Sequence, residues 1–141
     1  MIDSVYHFLE GIGFTHPLHP ALTHVPMGMV MGGFTFVLVY AILKKPEFLT
    51  TATYCMGLGF LGIFPTVLLG VMDWQYRFSG VWHPLIIAKM VFALGLTVMM
   101  LVAIKVSLGH TIKPVKLVGI YFACLVLAVG LGFMGGQLQY G

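Results

Sequence analysis

Four long apolar stretches, at residues 20–43, 48–72, 84–104 and 115–137, leave this chain few ways to fold. Each matches the ~20 residues that a helix needs to cross the hydrocarbon core of a bilayer. In lipid every backbone amide must find its partner inside the protein, which only helices and closed barrels provide. Continuous runs, rather than the ten-residue alternation of barrel strands, select helices. Hydrophobic residues make up 60% of the 141 and charged residues 8%, well outside the soluble range. The expected fold is all-α: one integral membrane four-helix bundle occupying residues 1–141.

Ahead of the first span, residues 3–14 place Val5, Phe8, Leu9 and Ile12 at helical spacing, with Asp3 and Glu10 among them. This pattern predicts a short amphipathic helix at the membrane interface. Acidic rather than basic residues near Met1, and no small-residue cleavage site, predict that no signal segment is removed. Pro20 opens the first span and Lys44, Lys45 and Pro46 close it. Pro65 is expected to kink the second, and Asp73-Trp74 to end it. The third closes at Lys105, and the fourth begins near Pro114 and ends at Gly135-Gly136. Gly28 with Gly32, and Gly132 with Gly136, are small-xxx-small pairs that allow helices to approach closely.

Short connections make neighbouring spans antiparallel. Both termini and the loop at 73–83 then share one face, and the loops at 44–50 and 105–116 the other. Lys44, Lys45, Lys105, Lys113 and Lys116 lie on the second face, whereas Arg77 stands alone in the first. The positive-inside rule places the first face, with both termini, outside the cytoplasm. A net charge of +3 arranged this way is a topology signal, so no nucleic-acid partner is expected. Cys55 and Cys124 fall within spans and read as small hydrophobes. There is no phosphate loop, nucleophile elbow, HExxH or CxxC, so hydrolytic, kinase and thiol-redox chemistry lack a motif.

What remains is histidine. His7, His16, His19, His24 and His83 all fall at the extracytoplasmic face, and His110 alone at the other. Neutral imidazole is the commonest protein ligand for transition metals and haem iron. Trp74 and Trp82 read as interfacial anchors. Lys89 is the one charge inside the third span, costing about 2.5–3.5 kcal/mol near the centre. It is expected to extend toward the interface, to Asp73, to a haem propionate or to a quinone carbonyl.

Two ligand sets follow. His24 and His83, with His19 as the alternate, would hold haem b axially, making the chain an electron-transfer protein that exchanges electrons with a membrane quinol and further redox subunits. His19, His24, His83 and Asp73 would instead hold a copper, zinc or iron ion, for binding or transport. A purely structural membrane subunit, alone or as a homo-oligomer, is the third reading.

The segment His16-Pro-Leu-His19-Pro-Ala-Leu-Thr-His24-Val-Pro26-Met-Gly28, the Gly70-Val-Met-Asp73-Trp74 turn, His83 and the closing Gly135-Gly136-Gln-Leu-Gln-Tyr140 resemble the bacterial membrane family called domain of unknown function 2231. The resemblance spans residues 16–141. It implies a four-helix, multi-pass protein of the bacterial inner membrane, with His19, His24, Asp73 and His83 at the family's recurring polar positions. Members of that family typically add a histidine-glycine tail after the tyrosine; this sequence has Tyr140-Gly141.

Overall fold

The structure is a computed structural model. It describes the backbone of residues 2–13, 18–77, 79–109 and 112–140, with side chains for 4–13, 18–20, 22–76, 79–109 and 112–138. His16, His110 and the side chain of Arg77 therefore lie outside the described residues.

Among the described residues five helices follow in order: α1 (Ile2–Gly11), α2 (His19–Leu43), α3 (Pro46–Arg77), α4 (Pro84–Gly109) and α5 (Pro114–Tyr140). The last four are long and apolar enough to cross a membrane. They form a ring in which α2 touches α3 and α5, and α4 touches the same two. Among the described residues neither diagonal pair brings its backbones together, although the Tyr121 hydroxyl of α5 reaches Thr53 of α3 across the centre. Val30 and Val37 of α2, Ala52 and Met56 of α3, Met100 and Ala103 of α4, and Tyr121 and Cys124 of α5 are fully buried along the axis. Leu58, Leu61, Phe64, Leu94 and Phe133 instead point outward, the distribution that a lipid solvent requires.

The far ends of α3, α4 and α5 lie beyond the sequence expectation, whereas α2 closes at Leu43 as expected and α1 stops at Gly11, short of residue 14. Asp73-Trp74 ends the apolar run but not the helix, and α3 continues to Arg77. Lys105 likewise ends the apolar run while α4 continues to Gly109. Polar side chains do not break a helix; a backbone that leaves the α region does. Ser79 and Gly80 supply that break after α3, at φ of 48° and 68°. Lys44 does the same after α2, in a left-handed cap whose N–H donates to the Tyr40 carbonyl at 2.8 Å.

The α2–α3 seam is the tightest, and glycines other than the expected pairs make it so. A Cβ added at Gly59 would stand 2.8 Å from Met100 Cε and 3.0 Å from Met29 Cβ. One added at Gly62 would meet Val25 and the Pro26 ring, at 3.2 and 3.4 Å. Of the four glycines singled out from the sequence, Gly32 and Gly132 do face neighbours, whereas Gly28 and Gly136 face open space. Pro26 lies inside α2 and cannot donate to the Leu22 carbonyl one turn back. The Thr66 hydroxyl, 2.8 Å from its own Gly62 carbonyl, reaches across to that Leu22 carbonyl at 3.4 Å. The acceptor freed by proline is thus satisfied within the protein. α3 runs through Pro65 as one helix.

Candidate functional site at the histidine end

The site begins with a helix start that lacks its own cap. Leu18 is the N-cap of α2 and offers no side-chain acceptor, so the first amides of the helix have no local partner. Asp73 supplies one from α3. Its Oδ1 accepts the Leu18 N–H at 3.1 Å, and its Oδ2 the His19 N–H at 2.9 Å. A carboxylate at a helix N-terminus also meets the positive end of the helix dipole.

The same carboxylate takes two side-chain donors. The Tyr6 hydroxyl donates to Oδ1, and His19 Nδ1 lies 2.7 Å from Oδ2. A carboxylate only accepts, so Nδ1 carries the proton of that bond and Nε2 is left outside it. Asp73 is 1% exposed and Tyr6 2%, while the His19 side chain keeps 23% of its surface. Four donors on two oxygens account for the buried charge.

α1 is positioned by this cluster. The Tyr6 ring stacks on Tyr76 of α3 at 4.1 Å with 6° between planes, and the Tyr76 hydroxyl sits 3.3 Å from Glu10. The apolar residues from which this helix was expected are not what seats it on the bundle: Val5, Phe8 and Ile12 are exposed at 40%, 68% and 66%. They remain on the outer side of a helix whose anchor is a phenol. His7 is exposed and lies near Glu10, at 3.8 Å.

The other residues expected at the site are placed separately. His24 is exposed on α2. His83, also exposed, accepts the Leu85 N–H on its own Nδ1 at 3.3 Å and so caps α4. Among the described residues no hydrogen bond, ion pair or ring contact joins His24 or His83 to the His19–Asp73 pair, and no three His, Cys, Asp or Glu side chains form a group able to hold a metal ion. Lys89 is partly buried and within electrostatic reach of Asp73, without an ion-pair contact among the described residues. Its Nζ lies 3.8 Å from where a side chain at Gly135 would start. Trp74 donates from Nε1 to the Val81 carbonyl at 2.9 Å and packs on Trp82 at 4.6 Å, closing the turn that carries His83.

Two participants were not legible in the sequence. Tyr6 sits off the apolar stripe of α1 and carries no motif, and the Leu18 amide is backbone. The only available signal was the uncapped start of α2 combined with a carboxylate expected at the same membrane boundary.

The family model for predicted membrane proteins with the DUF2231 domain matches residues 15–141. The chain belongs to the DUF2231 family. The match covers His19, Asp73 and His83 and begins after α1, so in this DUF2231 protein the Tyr6 hydroxyl reaches the buried carboxylate from outside the matched region. No curated protein and no solved structure matches the chain.

Proposed function

We propose that this DUF2231 protein is a membrane electron-transfer protein that binds haem b at the histidine end, with His19 as one axial ligand and Asp73 as the group that orients it. One observation carries the reading: His19 Nδ1 is engaged by a buried carboxylate, leaving Nε2 as the ring nitrogen available to a metal. Metal-ligating histidines are commonly held in this way by an outer-shell carboxylate, which fixes the tautomer and raises the basicity of the ligand.

His83 would be the second residue to hold the haem in this reading, and since its Nδ1 accepts the Leu85 N–H, that role requires the ring to give up this bond and carry its proton on Nδ1 so that Nε2 is bare. His19, the alternate ligand in the sequence reading, here stands in place of His24, which is exposed on α2. The donor set favours haem over a four-ligand ion site, since Asp73 already accepts four hydrogen bonds and is poorly suited to coordinate as well. Bound haem would supply one-electron chemistry. The protein's own part is to hold the His19 ring through Asp73 and to offer Lys89 as a cation for an acidic group of the cofactor. A membrane quinol is the proposed electron donor. The lysine distribution supports a bacterial inner-membrane location with the histidine end outside the cytoplasm.

A second reading has its own support, because all four bonds to Asp73 come from residues 6, 18 and 19 and tie the N-terminal region to α3. In that reading the cluster is a structural clamp. Absorption spectroscopy and metal analysis of the purified protein separate the two. Haem predicts a Soret band with visible bands that sharpen on dithionite reduction, lost in His19→Ala and in His83→Ala. Stoichiometric copper, zinc or iron without a Soret band would move the reading to an ion site, and a protein free of both would leave only the clamp.

A further inference from the structure

The two ends of the bundle differ, and the lysine end carries a groove that the histidine chemistry does not use. Between α3 and α4 runs an apolar groove of about 680 Å³, walled by Tyr54, Gly57, Leu58 and Leu61 of α3 and by Ile104 and Leu108 of α4. A smaller hollow of about 110 Å³ continues it toward the helix ends past Thr50 and Ser107. We infer that this groove holds one acyl chain of an anionic phospholipid, with the headgroup phosphate at Lys105.

Length, lining and charge support that occupant together. From Thr50 to Leu61 the groove follows α3 for roughly 16 Å, at 1.5 Å per residue. That is close to half of a ~30 Å hydrocarbon core, the depth of one leaflet and of one lipid chain. Gly57 opens the floor, since a Cβ there would meet nothing within 4 Å.

The threonine and serine hydroxyls that border the groove are already spent. Thr53 donates to the Leu49 carbonyl at 2.8 Å, and Ser107 pairs with Tyr121 at 2.9 Å. That leaves Tyr54 as the one wall residue with a hydroxyl not already bonded to the protein among the described residues, so the lining favours an alkyl chain over a quinone ring. Exposed Lys105 follows Ile104 and precedes Leu108 by three residues, both of them groove walls, and its long side chain can extend the one turn to the groove's end. Lys44, Lys45, Lys113 and Lys116 share that end, and Glu47 is the one acidic residue among them. A lysine near a membrane surface contributes enough attraction for about a fivefold preference for an anionic lipid.

The test is native mass spectrometry of the full chain in detergent, incubated with equal amounts of phosphatidylglycerol and phosphatidylcholine of identical acyl chains. Phosphatidylglycerol adducts should exceed phosphatidylcholine adducts about fivefold. Lys105→Gln should bring the two lipids close to equality, and Gly57→Leu should reduce adducts of both severalfold. Lys105 is exposed, so its variant keeps the test valid where Gly57→Leu does not fold. Equal binding of both lipids to the unaltered chain, adducts unaffected by Gly57→Leu, or a dimer that Gly57→Leu dissociates would overturn the assignment.

Discussion

Asp73 is the residue on which most else at the histidine end depends. Removing its charge while keeping its shape, in Asp73→Asn, replaces one acceptor oxygen by a donor and leaves two of the four incoming N–H and O–H groups without a partner. Unsatisfied buried donors cost about 1–3 kcal/mol each, so a loss of about 3 kcal/mol is expected by denaturant titration in detergent. Tyr6→Phe removes one of the four donors and should cost about 1 kcal/mol, with faster amide exchange confined to α1. Retained protection of α1 in that variant would mean that the Tyr6–Tyr76 stack, rather than the bond to Asp73, seats the helix. Asp73 was legible as an important polar residue, since a carboxylate bordering an apolar span needs a reason. Its partners were not legible, because a backbone amide and a phenol in a flanking helix leave no periodic trace.

At the scale of the element, the four spans followed from apolar length alone, whereas their ends and contacts did not. Apolar runs report where lipid is, and helices continue past them until the backbone turns, as α3 does from Asp73 to Arg77. Which glycines are pressed was equally hidden, because spacing marks small residues on one face but not the face that meets a neighbour. Gly59→Ala should therefore destabilise by about 1–3 kcal/mol, since Met29 Cβ at 3.0 Å is fixed to its backbone and cannot swing aside. Gly28→Ala should be neutral or stabilising by up to about 1 kcal/mol, because the added methyl enters open space and alanine favours the helix. Thermal unfolding of the two variants side by side checks the contrast, and the reverse order would show that α2 meets its neighbours through Gly28. Pro26 was visible in the sequence, but the Thr66 hydroxyl that reaches the Leu22 carbonyl comes from another helix and could not be foreseen.

At the scale of the molecule, the proposed orientation rests on the lysine bias. Ser79→Cys in the turn after α3 should react with a membrane-impermeant maleimide in intact cells, and Glu47→Cys at the start of α3 should not; the opposite pattern would invert the topology. The histidines that pointed to a cofactor were legible as a group at one end, but a shared end is not a shared site. α2 and α4 stand on a diagonal of the ring, and of the four residues expected to converge, His19 and Asp73 are the two in direct contact among the described residues. A ligand role for His19 requires Nδ1 to carry the proton given to Asp73 and Nε2 to stay bare. Nitrogen NMR of the labelled imidazole, recorded at a pH where the ring is neutral in cofactor-free protein, reads this directly. The expected spectrum has a protonated, hydrogen-bonded Nδ1 and an unprotonated Nε2 for His19, lost in Asp73→Asn; a proton on Nε2 in the unaltered chain would contradict it.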